Sequence, residues 1–412
     1  MGHGIMVLTG LDVLLANPAR FLGRRFALLT NHSCVTADFR RNVDALLEAG
    51  IDIVSIFAPE HGFWADAAYM EGIEEERYHG IVMHPLYSPH DEAALAPTPE
   101  QFGGADGLII DVQDPGCRYY TYAVTAANCM GVAADLGLPV YVLDRPNPIG
   151  GEQVEGNLIH PPFDSFVAAY PVPNRHGMTV GELLTFVNES QHYGADLEVI
   201  RMHGWTRSMW WEDTALPWLY ASPNMAKPST ALVYPGTCLF EGTNISEGRG
   251  TTQPFELFGA PWFDADVLAQ RLNDVALPGV RFLAHSFKPA FSKFAGQRCH
   301  GVMMHVYDRR RFEAVRTGMW CVKIAHDLAP EHFRFHEAPY EFAKCRAIDT
   351  LTGSYRFAEI IDRGGDLDAW IATWPSFQGV HFAEYADVPR MSIVAHARVA
   401  NDVLIEAPRA EA

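Results

Sequence analysis

At 412 residues the chain exceeds the size at which one hydrophobic core keeps growing, so two domains are expected. A hydrophobic content of 48% and a charged content of 20% are those of a folded soluble protein, and a net charge of −19 leaves no basic stripe to displace counterions from phosphates, which excludes nucleic acid as an expected partner. A local basic pocket stays open, with Arg118, Arg145, Arg175 and Arg249 as the residues able to form it.

No apolar run approaches the ~20 residues needed to span a bilayer, so no membrane partner is expected. No basic segment followed by an apolar core marks a signal peptide, which gives a cytoplasmic expectation, or export if a leader has been removed. Seven scattered cysteines without a C-x-x-C read as buried thiols in a reducing compartment.

In chain order, four short β-branched or apolar runs each end in a polar motif. Arg25–Leu29 runs into Thr30-Asn31-His32, and Ile51–Phe57 into Pro59-Glu60-His61-Gly62. Gly107–Ile110 runs into Asp111-Val112-Gln113-Asp114, and Pro139–Leu143 into Asp144-Arg145-Pro146-Asn147. None alternates cleanly, which predicts strands buried on both faces of a parallel sheet. Helical patterns lie between them at Val43–Ala49 and Tyr122–Leu136, each closed by a glycine that suits a C-cap. Arg175-His176-Gly177-Met178-Thr179 precedes a predicted helix at Gly181–Asn188 and a strand at Leu197–Met202.

Strand alternating with helix predicts an α/β fold, a Rossmann-like and mostly parallel sheet whose ligands bind beyond the strand carboxyl ends. That domain is expected over 1–205, followed by a smaller mixed α+β domain over 206–412, with the active site in the cleft between them. Trp205–Trp218 holds four of the nine tryptophans and reads as a packing seam or a cleft wall. Ser222–Trp262, rich in Gly, Pro, Thr and Asn, reads as a long irregular loop contributed to the cleft, since such loops are functional or disordered and its aromatics disfavour disorder. Farther on, Gly301–Val306 reads as a strand, and Phe312–Asp327 and Ala358–Ile361 as helices.

The motifs carry acid chemistry. Glu60, at a partly desolvated strand end, suits a general acid, although a capping or hydrogen-bonding carboxylate is the plainer alternative. Asp111 and Asp114 are followed by Arg118, Tyr120 and Tyr122, whose hydroxyls and flat faces suit sugar rings; a simple loop ion pair is the plainer reading. Two prolines stiffen the loop bearing Asp144, Arg145 and Asn147, and Glu155 is a further candidate carboxylate. Glu241, Asn244, Glu247 and Arg249 lie on a glycine-rich stretch that is neither a P-loop nor a dinucleotide fingerprint, so no nucleotide cofactor is expected. His61, Asp111, Asp114 and His176 could converge on a metal, but without H-E-x-x-H or a close His pair no metal and no other cofactor is expected.

Taken together in order, PEHG, DVQDPGCRYYTY, LDRPNPIGG, VEGN, RHGMTVGELL, SPNMAKPSTALVYPGTCLFEGTNISEGRGT, PFELFGAPW and IDTLTGSYRF resemble the exo-β-N-acetylmuramidases of glycoside hydrolase family 171. The resemblance runs from about Thr30 into the C-terminal region. It implies release of N-acetylmuramic acid from the non-reducing end of peptidoglycan fragments, with a small muramic-acid-containing carbohydrate as partner; the oligomeric state stays open, a homodimer being one option.

By the same resemblance Glu60 is the catalytic acid, with Glu155, then Asp111 and Asp114, as candidates for its partner. Asn31, His61, Arg118, Tyr120, Tyr122, Asp144, Arg145, Asn147, Arg175, His176, Asn224, Glu241, Asn244, Glu247 and Arg249 are the expected substrate-binding residues, the arginines serving the lactyl carboxylate. Asn31-His32-Ser33 and Ala226-Lys227 depart from the family pattern. A muramyl-sugar-binding protein without hydrolysis, and a metal-dependent hydrolase of another anionic small molecule, are the alternatives from other classes.

Overall fold

The computed structural model describes residues 6–68, 71–159 and 162–374. The tail after Trp374, which belongs to the expected second domain, lies outside the described residues. Seven strands form the larger sheet: β1 (Arg25–Leu29), β2 (Asp52–Ala58), β3 (Glu76–Tyr78), β4 (Ile81–Pro85), β5 (Gly107–Ile110), β6 (Val140–Leu143) and β7 (Leu197–Ile200). Their spatial order is β3-β4-β2-β1-β5-β6-β7, and every pairing is parallel except β3 with β4. The chain runs outward from β1 on one side and returns to β5 on the other, so the topological switch lies between β1 and β5.

Alternation along the strands divides the packing. Phe26 and Leu28 of β1 join a core with Leu11 and Leu14 of α1 (Gly10–Ala16) and Val43 and Leu46 of α2 (Asn42–Glu48). Ala27 and Leu29 face the other way, into a core with α3 (Tyr122–Asp135) and α4 (Val180–Ser190). Both faces are covered, which is why these strands show no polar alternation.

The second sheet is antiparallel, in the order β8-β10-β9, from β8 (Leu257–Ala260), β9 (Val280–Phe287) and β10 (Cys299–Val306). Around it stand α5 (Pro228–Thr237), α6 (Ala265–Asp274), α7 (Ala314–Leu328), α8 (Ala347–Thr352), α9 (Arg356–Arg363) and α10 (Leu367–Ile371). The α3 and α4 side of the first sheet shares one continuous apolar core with this second part.

The stretch 222–262 is thus not an irregular loop, since α5 and β8 lie within it. Pro228 occupies the first turn of α5, where its missing N–H costs nothing. Every residue from Thr230 to Thr237 is buried, so α5 shows no amphipathic period for a sequence reading to find. The tryptophan-rich segment is a packing seam: Trp205, Trp210 and Trp211 are buried, and Trp211 meets Trp218 edge to face. All seven cysteines are free and buried.

Two glycines let α5 and α7 touch. A Cβ on Gly236 would lie 2.0 Å from the Ala314 carbonyl oxygen, and one on Gly318 would lie 2.1 Å from the Gly236 carbonyl oxygen. Both obstacles are backbone, so neither can swing aside. Gly318→Ala is expected to destabilise the protein by about 2 kcal/mol or more. Urea unfolding checks this, and an unchanged midpoint at unchanged slope would refute the contact's importance.

Candidate active site

A recess opens between the carboxyl ends of the parallel strands and the second part of the chain. Glu60, His61, Tyr119, Tyr120, Thr121 and Val167 line it from the first part, and Ser222, Asn224 and Met225 from the connecting segment. Tyr234, Cys238, Glu241, Arg249, Phe255, Tyr340 and Glu341 complete the wall. The site therefore exists only where the two parts meet.

Glu60 follows β2 by two residues, on a turn completed by His61 and Gly62 at φ 69° and 78°. Thr121, immediately before α3, donates its hydroxyl to Glu60 Oε2 at 2.7 Å inside the protein. One carboxyl oxygen is thereby fixed, and no hydrogen bond among the described residues engages the other. His61 Nδ1 donates to the Ala67 carbonyl at 2.9 Å, which leaves Nε2 as an acceptor. Burial pushes the His61 pKa down, so its ring is neutral beside Glu60.

The opposite wall is a chain of alternating charge. Arg249 donates to Glu241 at 2.5 Å and lies 3.3 Å from Glu247, and Lys293 meets the other Glu247 oxygen at 2.8 Å. Burial alone would raise the Glu247 pKa, but Lys293 and Arg249 outweigh it and hold the carboxyl below its ordinary range. Tyr340 donates to the second Glu241 oxygen at 3.0 Å, and the Arg249 guanidinium sits 5.0 Å from the Phe255 ring centre.

Two family models divide the chain: exo-β-N-acetylmuramidase NamZ, N-terminal, matches residues 26–229, and its C-terminal counterpart matches 232–381. A peptidoglycan β-N-acetylmuramidase NamZ of Bacillus subtilis is 43% identical over 366 residues, covering 88% of this chain and 86% of the relative. The chain belongs to the NamZ family of exo-β-N-acetylmuramidases. Crystal structures of two DUF1343 family proteins of Bacteroides fragilis share the fold. One, 29% identical, has a TM-score of 0.79 over 97% of this chain and 99% of its own. The other, 26% identical, has a TM-score of 0.70 over 90% and 94%.

Of the candidate site residues, the structure brings Glu60, His61, Tyr120, Asn224, Glu241 and Arg249 to the recess. Glu247 stands behind Arg249. Asn31 and Tyr122 form a support: the Asn31 amide donates to the Tyr122 hydroxyl at 3.0 Å and to the Ala221 carbonyl at 2.9 Å. Tyr122 in turn donates to the same carbonyl, fixing the strand-end loop against the segment that carries Ser222 and Asn224.

The remaining candidates do not line the recess, and their side chains are engaged elsewhere. Asp111 forms a fully buried bidentate pair with Arg145 at 2.5 and 3.0 Å and accepts from Asn42. Glu155 pairs with Arg175 at 2.9 Å, and its second oxygen accepts from the Val315 amide, so neither charge reaches the recess. Arg118 donates to the carbonyls of Asn157, Val172 and Leu351. Asp144 caps α4 through Thr179 and the Gly181 amide, and Asn147 links Ile149 to Met178. Asn244 ties its own turn to His332 and Arg334.

The contributors missed by sequence reasoning divide by origin. Thr121 lies within DVQDPGCRYYTY, and its position before a helix and near a strand-end acid is the signal the sequence carries. Tyr340 and Glu341 come from a region with no distinguishing pattern and enter only through the tertiary fold. Among the described residues no group of three or more His, Cys, Asp or Glu side chains is placed to hold a metal ion.

Asp114 and His176 form a buried pair away from the recess lining. The Met178 amide donates to His176 Nδ1, so the ring proton sits on Nε2, 3.9 Å from Asp114. Burial pushes His176 down to about 3 and Asp114 up to about 7. With a folded pKa of about 7 against an ordinary 3.8, Asp114 holds its proton more tightly in the folded state. Its contribution to stability is therefore greatest below about pH 4 and is lost as the pH rises to about 7. Asp114→Asn, which cannot ionise, is expected to melt progressively higher relative to wild type between pH 4 and pH 8. A melting-temperature difference independent of pH would contradict a protonated Asp114.

Proposed function

We propose that the protein releases N-acetylmuramic acid from the non-reducing end of peptidoglycan-derived fragments, with Glu60 as the acid that protonates the glycosidic oxygen. Glu60 carries the proposal: its carboxyl lines the junction recess, and Thr121 holds Oε2 while Oε1 is left for the substrate. Cleavage builds positive charge at the anomeric carbon, which a recess walled by carboxylates stabilises. Arg249 is the cation of the wall, and Tyr120, Ser222 and Asn224 add neutral donors suited to the lactyl carboxylate and ring hydroxyls.

The reading is tested with para-nitrophenyl β-N-acetylmuramide beside the β-N-acetylglucosaminide, with and without chelator. Release from the muramide alone, unchanged by chelator, is expected. Glu60→Gln should lower turnover of a muramyl disaccharide by about 10³-fold while retaining sugar binding. The nitrophenyl substrate should lose less, because its leaving group needs little protonation. Near-normal turnover of the disaccharide would remove Glu60 from the role of acid.

Thr121 acts here as a positioning residue. Thr121→Val should lower kcat by roughly 10- to 100-fold, the worth of a hydrogen bond to a carboxyl, with little change in KM. Thr121→Ser, which keeps the hydroxyl, should recover most of the rate. A loss expressed in KM, or one that serine leaves unrepaired, would show that the hydroxyl does not orient the acid.

A further inference from the structure

The turn that carries Arg249 is backed by the connection between β9 and β10, residues 288–298. Gly248 and Gly250 flank Arg249 at φ 82° and 78°, a backbone that other residues adopt only at a cost. A Cβ on Gly250 would lie 2.6 Å from the Phe291 carbonyl oxygen, and the Ala290 amide donates to the Gly250 carbonyl at 2.8 Å. Backbone meets backbone here, so the connection is fixed against the turn.

That contact delivers Lys293 to the back of the recess wall. An ammonium has three N–H donors, and Lys293 gives them to the Phe240 carbonyl at 2.8 Å, the Ile245 carbonyl at 3.1 Å and Glu247 Oε2 at 2.8 Å. With these three acceptors engaged, Lys293 does not itself line the recess. Its influence on a ligand passes through Glu247, whose other oxygen lies 3.3 Å from Arg249 Nε.

Charge balances along this line. Lys293 and Arg249 are its cations and Glu247 and Glu241 its anions, and of the four only Arg249 and Glu241 line the recess. Beside them, burial and the Lys293 charge push the His336 pKa down, so that ring is neutral, and Tyr340 donates to Glu241. Without Lys293, two carboxylates would face one guanidinium, and the wall would turn a net negative charge toward an incoming anion.

We propose that Lys293 is a positioning residue that sets specificity for the lactyl carboxylate. It carries the counter-charge of Glu247, so that Arg249 is offset once, by Glu241, and not twice. The guanidinium then meets a substrate anion across a wall with no net negative charge. The assignment rests on the muramidase reading above, in which Arg249 is the cation of the wall.

The test compares calorimetric binding of N-acetylmuramic acid with that of its lactyl methyl ester, which lacks the charge, at neutral pH in the full chain. Lys293→Met removes the ammonium and keeps the stem; Lys293→Gln also keeps N–H donors for the two carbonyls. Each should bind the acid about 10-fold more weakly than wild type and the ester within about twofold. Turnover of the muramyl disaccharide should show the loss in KM, with kcat little changed. Adding Glu247→Gln to either variant restores the balance of charge, and the double variant should bind the acid within about threefold of wild type. Equal losses for acid and ester, a double variant weaker than the single, or failure of both single variants to fold would show a merely structural role and overturn the assignment. Unchanged affinity for the acid in the single variants, with wild type releasing the sugar and preferring acid to ester, would overturn the role of Lys293 alone. Absence of release by the wild-type protein would overturn the muramidase reading and this assignment with it.

Discussion

Burying a guanidinium calls for acceptors around it, and the two terminal nitrogens of Arg118 find theirs at the junction between the two parts of the chain, while its Nε has no hydrogen-bond partner among the described residues. Arg118 has no carboxylate partner among the described residues. It donates instead to three carbonyls, those of Asn157 and Val172 in the first part and of Leu351 in α8. Desolvation pulls its pKa down to about 10, which still leaves it charged at neutral pH. The three residues that follow it, Tyr119, Tyr120 and Thr121, are recess wall. Loops from separate regions are thereby drawn to one cation, and the group that orients Glu60 lies three residues from the anchor.

The same economy of charge explains why several of the polar motifs pair within the protein. Arg145 with Asp111, and Arg175 with Glu155, each satisfy one buried charge with another and add backbone partners. Removing one member of such a pair leaves the other buried and uncompensated, typically about 3–5 kcal/mol of lost stability. A residue of this kind is as constrained as one that touches substrate, and sequence gives no way to tell the two demands apart. Arg249 differs because it and Glu241 form a charged face on the recess itself, with Glu247 behind them.

Legibility in the sequence followed the range of the interactions involved. The strands Arg25–Leu29 and Gly107–Ile110 were readable to the residue, because burial on both faces writes itself as an uninterrupted apolar run. Placement beyond strand ends pointed to Glu60 and His61 without any contact being known. The hairpin β3–β4 was not readable, since its exposed, charged β3 carries neither period. Helix α5 was hidden by its prolines, glycine and threonines, whose turn-like character is overridden by complete burial. The engagement of Glu155 was not readable, since its place in the sequence says nothing of Arg175 across an antiparallel bridge. Glu341 was beyond reach for the converse reason: apart from Tyr340, its neighbours in the recess are 86 or more residues away in sequence.

Two turns present carboxylates to this recess, and both hold non-glycine residues at positive φ: His61 after Glu60, and Glu341 with Phe342. Each such residue costs of order 1–3 kcal/mol, which the surrounding structure must offset. For His61 the hydrogen bond to Ala67 and burial of the ring contribute. For Glu341 and Phe342 the turn hydrogen bond is joined by Tyr340 and Tyr87, which belong to opposite parts of the chain. The second turn is consequently stabilised by the docking of the two parts and not by its own sequence. Close approach of α5 and α7 through Gly236 and Gly318 helps to set the position of the Glu241 wall that receives Tyr340. Geometry at the recess is therefore coupled to packing well behind it, and a change at the glycine contact should act on the site through the position of α5 before it acts on any recess side chain.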